Sequence, residues 1–529
     1  MSTLEGKSDV SKPGGILSAL VDAEGGVGGE ARAWDLRGKS VYMLGIGGSG
    51  MSGMARMLVA RGASVRGSEA TASVLTAGLA RDGIGVDHDQ SRAWLPDGCD
   101  LVVASAAIKP DHPQMLEADR RGVPHVTYAE ALGRCMLGRT AVCIAGTHGK
   151  STTTAMLSCV LCDAGLDPTA ILGATCAQLS GSGGSAAQGF RLGGGTIPAG
   201  ARAGKPGLIL AESCEFNRSF HNYHPTIGAI TSVEADHLDI YGSLDAVVQS
   251  FREFAGLIAP AERGGLLLIA HSGAHRREVT AGLSCAVQTI GFHPDADWYA
   301  TYDAGTRAVK LVGPDKRVAC EWTMLMPGAH NAMNAATAAA LAINLGVPGV
   351  GIARSLSAFR GLDRRSQLLG TWRAAGWPAG SGVRVYDDYG HHPTEVEATL
   401  RAMRQFDRPE TRVGAGGRGR LVCVFQPHQH SRTRHLMEEF AASFGEADVV
   451  IVPHIYFVRD TQEEKQKVTA GDLVDRLRQS GVQAMHLYPF EAIVEHLQAM
   501  LRPEDLLVVM GAGPVNEVAY ALLGKRAEG

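Results

Sequence analysis

Short apolar runs recur along the chain at residues 41–44, 101–104, 142–145, 208–211, 227–230, 421–425, 449–452 and 506–510, and each closes on small or polar residues. Their length and aliphatic content predict buried strands. Weaker runs at 64–67 and 383–388 lead into Ser68-Glu69 and into a dense polar turn. Between them, helical patterns begin near Met51, Lys150, His330 and Pro393. Strands alternating with helices imply parallel sheets covered on both faces, an α/β fold. A chain of 529 residues is several domains long, and the breaks in the pattern suggest three, at 37–136, 137–360 and 361–529.

Two stretches escape the pattern. Residues 1–36 are rich in Gly, Ser and Ala without apolar periodicity, which predicts a disordered extension with order starting near Lys39. The Gly-, Ser- and Ala-rich segment 180–207 reads as a surface loop. The longest charge-free segment, 331–353, is dominated by alanine and broken by Asn344 and Pro348; it reads as a buried helix followed by a loop, not a membrane span.

Charge narrows the class of partner. With 50 basic and 54 acidic side chains the net charge is −4, which argues against a nucleic-acid stripe or an anionic-membrane surface. Nothing at the N-terminus has the apolar core of a signal peptide, so a cytoplasmic enzyme is expected. The ten cysteines should be thiols, and Cys159 and Cys162, three apart on one helix, should pack as small hydrophobes.

The chemistry concentrates where strands end. After strand 142–145, Gly146-Thr147-His148-Gly149-Lys150-Ser151-Thr152 forms a phosphate cradle: amides from Gly146 to Gly149 and the helix start can face one anion, Lys150 adds charge, and the Ser151 hydroxyl can hold magnesium. Ile144 stands where the strict P-loop pattern has glycine. A lysine in that position has no obvious partner, so its removal should cost little stability. After strand 41–44, Gly45, Gly47, Gly48, Ser49, Gly50 and Met51 make a second glycine turn, and Glu69 ends the next strand, as in Rossmann-like diphosphate sites. Ser105 and Ile108 follow strand 101–104 at the ligand edge of the same sheet. Glu212 and His237 follow two central strands. Asn331 and Asn334 share one helix face and suit either a purine edge or, for Asn331, helix capping. Asp387, Asp388, Tyr389, His391 and His392 crowd one turn, and His428 to Arg434 crowd another.

Taken together, the motifs at 44–53, 145–154, 234–239, 328–334, 387–395 and 425–434 resemble those of the Mur ligases, nearest to their alanine-adding branch, and the resemblance spans Lys39 to Leu523. It implies a Rossmann-like UDP-binding domain, a central P-loop-type ATPase domain and a C-terminal Rossmann-like ligase domain. ATP and Mg2+ are the implied cofactors, UDP-N-acetylmuramate and L-alanine the implied substrates, and a monomer or weak homodimer the implied state. By the same resemblance Lys150 contacts the ATP phosphates, and Ser151, Glu212 and His237 hold the metal. Asn331 and Asn334 meet adenine, Arg365 and Asp388 meet phosphate and ribose, and Tyr389, His391, His428 and Arg432 lie nearest the incoming amino acid. Glu69 replaces a usual Asp, and Gln429-His430 replaces a commoner Arg-aromatic pair. Two alternatives stay open: a recycling ligase that attaches a whole tripeptide, and an inactive nucleotide-sugar-binding regulator.

Overall fold

The computed structural model describes residues 34–179, 188–378, 380–414 and 417–525. Three large sheets follow one another along the chain, and a small two-stranded pair joins residues 413–414 to 417–418. The first contains β1 (Ser40–Leu44), β2 (Ser64–Ser68), β3 (Gly85–Asp87), β4 (Leu101–Ala104) and β5 (His125–Thr127), in the order β3-β2-β1-β4-β5 with every pair parallel. Helix α1 (Ser49–Ala60) follows β1 and buries Met51, Met54 and Leu58. The order reverses between β1 and β4, and open sheets of this kind bind ligands at the carboxyl end of such a switch point.

The central sheet has ten strands in the order β15-β14-β13-β12-β11-β10-β6-β9-β7-β8. Its parallel middle is built from β6 (Thr140–Ala145), β7 (Thr169–Cys176), β9 (Leu208–Glu212), β10 (Ile227–Ile230), β11 (Leu266–Ala270) and β12 (Ala286–Gly291). One edge turns antiparallel through β13 (Trp298–Tyr302), β14 (Ala308–Val312) and β15 (Val318–Thr323); β8 (Gln188–Arg191) pairs antiparallel with β7 at the other. Helices α2 (Lys150–Asp163) and α3 (Ala329–Asn344) pack together on this sheet. A run of small alanines along α3 permits that close approach.

In the third sheet β16 (Gln367–Trp372) lies antiparallel beside β17 (Val383–Asp388); the rest is parallel. The order continues from β17 to Leu506–Met510, Leu421–Phe425, Val449–Val452 and Gln483–His486. Helices α4 (Pro393–Asp407) and α5 (His430–His435) follow the two polar turns.

Three expectations need correction. Order begins before Lys39: Trp34 and Leu36 are buried in the first core, with the Arg134 guanidinium over the Trp34 ring, so two isolated apolar residues anchor a stretch that lacks periodicity. The rest of the N-terminal extension, 1–33, lies outside the described residues. The Gly-rich segment 180–207 is not all loop, because residues 188–191 form β8; residues 180–187 lie outside the description. The charge-free stretch continues past Asn344 into a second helix, Gly349–Ala358, started by Pro348 at its N-cap. Cys159 is buried and Cys162 packs beside it, as small hydrophobes do, and all ten cysteines are free thiols. Among the described residues no helix is long and apolar enough to cross a membrane.

Candidate active site at the junction of the three sheets

β6 delivers the chain to a turn that only glycine fits at two points. Gly146 and Gly149 have φ of 136° and 82°, and a Cβ on either would come within 2.0 Å of Thr231 Oγ1 or 2.4 Å of Asn334 Oδ1. The cradle is narrower than its sequence suggests. Thr147 N donates to Ser232 O at 3.0 Å and His148 N to Ser232 Oγ at 2.9 Å, so those two amides are engaged by the end of β10. What remains is Gly149 and the first turn of α2, which has no side-chain cap and offers its amides to an anion.

Lys150 is not free. Its Nζ donates to Gly146 O at 2.5 Å and Thr147 O at 3.1 Å and lies 2.9 Å from Glu215 Oε2, with little of either side chain exposed. Burial opposes the lysine's charge, yet Glu215 together with Cys214 and Glu212 outweighs it and raises the pKa. The expectation of a partnerless lysine is therefore wrong, because a carboxylate beyond the strand end reaches under the turn: Glu212 ends β9, and Glu215 follows it in the next loop. Glu212 instead accepts from Ser151 Oγ and from Gly173 N, each at 2.8 Å.

Glu215, Asp236 and His237 bring ligand atoms within 4.8 Å of one another. His237 Nδ1 is buried without a hydrogen-bond partner among the described residues, and the Glu215 carboxylate beside it is held by Lys150 alone. Burial lowers the His237 pKa despite Asp236 and Glu215, which keeps its imidazole neutral and able to ligate. An unpartnered imidazole nitrogen with two carboxylates near it fits a divalent cation. A second group, His148, Glu234 and His392, fits one less well. Burial opposes charge on His148, but Glu234 at 3.4 Å and Glu395 at 3.3 Å raise its pKa to about 9, so it is a cation held by two carboxylates.

Two clefts meet here. One, of about 230 Å3, lies between α3 and α4 and is lined by His148, Gly149, Thr152, Asn331, Asn334, Arg365 and Asp388 among others. Asn331 does not cap α3, whose N-cap is Gly328; its Nδ2 donates to Pro327 O. Asn334 accepts from Thr153 Oγ1 at 3.3 Å. Asp388 accepts from Ser366 N and Gly390 N, both at 2.7 Å, so its carboxylate also fixes the turn that positions Arg365. Arg365 lies 3.6 Å from Glu395 and stacks over Tyr389.

The other cleft, of about 470 Å3, touches all three units: Ser49 from the first, Lys150, Ser151, Glu212, Glu215 and His237 from the second, Arg365, Tyr389, His391, His428 and Arg432 from the third. Arg432 binds Asp236 Oδ1 through Nε at 3.1 Å and Nη2 at 2.9 Å, and its Nη1 donates to His428 Nδ1 at 3.1 Å. His428 Nδ1 is thus an acceptor, which places the proton on Nε2. His391 has the opposite tautomer: Nδ1 donates to Tyr389 O at 3.1 Å, and Nε2 is left as an acceptor. Burial pushes both imidazoles down, His391 to about 4 and His428 to about 3, so both are neutral at pH 7. Arg459, absent from the sequence candidates, hangs over Phe216 at 4.4 Å on the same cleft.

The first-sheet candidates gather separately at the carboxyl edge. Gly47 N donates to Glu69 Oε2 at 3.0 Å, and a Cβ on Gly45 would lie 2.9 Å from Ser105 Cβ and 3.7 Å from Ile108 Cγ1. Gly48 is the uncapped N-cap of α1, Gly50 packs on Tyr128, and Met51 is buried, so Met51 supports the turn from below. Ser49 Oγ donates to Gly173 O at 3.2 Å and ties this turn to the central sheet.

Three family models match the chain in order: the Mur ligase family catalytic domain at residues 40–140, the Mur ligase middle domain at 144–342, and the Mur ligase glutamate ligase domain at 375–513. Similar proteins include the UDP-N-acetylmuramate--L-alanine ligases of Agathobacter rectalis, 35% identical over 92% of this chain and 98% of that protein, and of Kineococcus radiotolerans, 37% identical over 92% and 96%. Among solved structures, the UDP-N-acetylmuramate-alanine ligase from Thermotoga maritima superposes with a TM-score of 0.70 at 23% identity, covering 92% of this chain and 98% of that one. A murein peptide ligase from Psychrobacter arcticus gives 0.65 at 23%, with the same coverage. At these identities the structural likenesses bear on fold alone.

Proposed function

The chain belongs to the Mur ligase family, and we propose that it joins L-alanine to the lactyl carboxylate of UDP-N-acetylmuramate as ATP is converted to ADP and phosphate. This is a step of peptidoglycan precursor synthesis, carried out in the cytoplasm by a monomer or weak homodimer. One observation carries it: the phosphate turn with its Lys150–Glu215 pair, the unpartnered His237 nitrogen and the neutral His391 open on a single cleft that Ser49 also reaches. Residues 37–136 then hold the UDP-sugar, 137–360 hold ATP, and 361–529 present the amino acid.

Within that division the α1 N-terminus, Gly45 to Gly50, takes the diphosphate, and Glu69 gives up its Gly47 amide to bind a ribose. Gly149 to Thr152 cradle the ATP phosphates, Asn331 and Asn334 face the base, and Arg365 and Asp388 close the nucleotide cleft from the third unit. Ser151 and His237 would hold Mg2+, with Glu215 in place of the Glu212 that the resemblance implies, because Glu212 is engaged by the Ser151 hydroxyl and the Gly173 amide. Magnesium supplies charge neutralisation for the phosphoryl group in transfer.

A carboxylate is a poor electrophile, so the lactyl oxygen attacks the γ-phosphorus, ADP leaves, and an acyl phosphate forms. Lys150 and Arg365 offset the negative charge gathered there. The alanine amine must then be uncharged. The neutral amine attacks the acyl carbon, and as the C–N bond forms and its nitrogen becomes acidic it gives a proton to His391 Nε2, an acceptor whose tautomer the Tyr389 carbonyl fixes; phosphate departs. Arg432, locked on Asp236 across the two units, holds His428 in place and the third unit against the centre, which keeps water from the acyl phosphate.

The test is to supply UDP-N-acetylmuramate, ATP and magnesium with either L-alanine or the tripeptide and to weigh the product. A single-alanine adduct with ADP release is expected. Product from the tripeptide alone would favour the recycling ligase, and tight UDP-sugar binding without ADP release would favour a regulator.

A further inference from the structure

We propose that a second anion site lies at the junction of the first and central units, remote from the catalytic cleft, and takes a compact oxyanion of the phosphate class. A cavity of about 220 Å3 is lined there by Met57 and Arg61 of α1, Arg139 ahead of β6, Thr169 of β7, and Leu192 and Gly193 after β8. With two guanidinium groups and a hydroxyl on its wall, it suits a small, highly charged anion.

Both arginines line this space with a guanidinium that is largely unused. Arg61 Nη2 donates to Cys135 O and Arg139 Nη1 to Gly194 O, each at 2.6 Å, out of the five N–H donors a guanidinium carries. Neither forms an ion pair among the described residues. Burial and then the neighbouring Arg61 charge lower the Arg139 pKa, and only the Cys135 thiol opposes them. The segment 180–187 between β7 and β8 is made of Gly, Ser and Ala and carries no acid of its own. Two half-buried cations sharing one cavity with no counter-charge among the described residues are unfavourable, and a bound oxyanion removes that cost. Thr169 Oγ1 accepts from Gly193 N at 3.0 Å, which leaves its O–H to donate inward.

The location gives the site a consequence. Arg61 caps the C-terminal end of α1, and Ser49 at the other end, about 18 Å away at 1.5 Å per residue, donates to Gly173 O on β7. An oxyanion held by Arg61, Arg139 and Thr169 fastens α1 to β7 from behind, on the same two elements that meet at the catalytic cleft.

The experiment fills the catalytic phosphate sites with a non-hydrolysable ATP analogue and UDP-N-acetylmuramate, then titrates inorganic phosphate at ionic strength held constant with potassium chloride. Melting temperature and the phosphorus NMR line of the phosphate are followed together. The parent should gain about 2 °C or more at saturation, with broadening of the line. Arg61→Gln/Arg139→Gln should lose both responses. Because that variant also drops two carbonyl contacts, Leu192→Glu serves as a second: its carboxylate enters the cavity, so it should melt at or above the parent without phosphate and show no response to it. No response in the parent, or the same response in all three proteins, overturns the proposal.

Discussion

Two strand–glycine turn–helix units face the same cleft, one after β1 and one after β6, and their mouths are furnished in opposite ways. In the first a carboxylate stands at the mouth: Glu69 accepts the Gly47 amide, and the α1 N-terminus stands uncapped beside it. The second holds Lys150 clamped between two turn carbonyls and Glu215, with Ser151 on Glu212 next to it. A diphosphate that is only bound needs amides and a hydroxyl-binding carboxylate, whereas a phosphoryl group in flight needs fixed positive charge. The difference between the turns is the difference between holding a substrate and reacting it.

The largest expected effect falls on the second turn. Lys150→Ala should lower turnover by about 10²–10³-fold or more, the loss seen when one preorganised donor is removed. It should also lower the melting temperature, since Glu215 is 2% exposed and would be left without its cation. Adding Glu215→Gln should restore much of the stability and none of the turnover, as thermal melts and steady-state assays would report. Full stability in the single variant would mean the pair does not hold the turn.

At the first turn the effect should be smaller and of another kind. Glu69→Gln should raise KM for UDP-N-acetylmuramate by about 10-fold, the scale of one charged hydrogen bond, with kcat and the KM for ATP within a few-fold of the parent. A fall in kcat alone would erase the contrast between the turns.

How much of this contrast was legible in the sequence depends on distance along the chain. The buried parallel strands declare themselves as apolar runs with polar ends, and so the two turns and most cleft residues can be named in advance. The edge hairpins β13–β15 and β16 do not, because half-exposed strands such as Gln367–Trp372 alternate too weakly to stand out. Glu215 hides for a different reason: strand ends nominate Glu212, and only the fold carries the chain back under Lys150. Asp236 and Arg432, 196 positions apart, have no local signature of their pairing. Nor does His148, whose partners Glu234 and Glu395 come from two separate units.

That histidine gives the mildest prediction, on how the reacting turn is held against the third unit. Burial opposes its charge, but the two carboxylates raise its pKa from 6.5 to about 9. A raised folded value stabilises fully below 6.5 and is lost as pH climbs through about 9. The melting temperature should therefore fall by about 3 °C or more between neutral and strongly alkaline pH, and His148→Gln should flatten that slope while the first turn's ligand affinity shows no matching trend. An unchanged slope in the variant would assign the pH response elsewhere.

The central claim is that the carboxylate is activated by phosphoryl transfer at the Lys150 turn. Labelling both lactyl carboxylate oxygens of UDP-N-acetylmuramate with oxygen-18 and weighing the inorganic phosphate released on ligation tests it directly. The account predicts one labelled oxygen in each phosphate, carried over when the amine displaces the acyl phosphate. Unlabelled phosphate alongside an alanine adduct would contradict it.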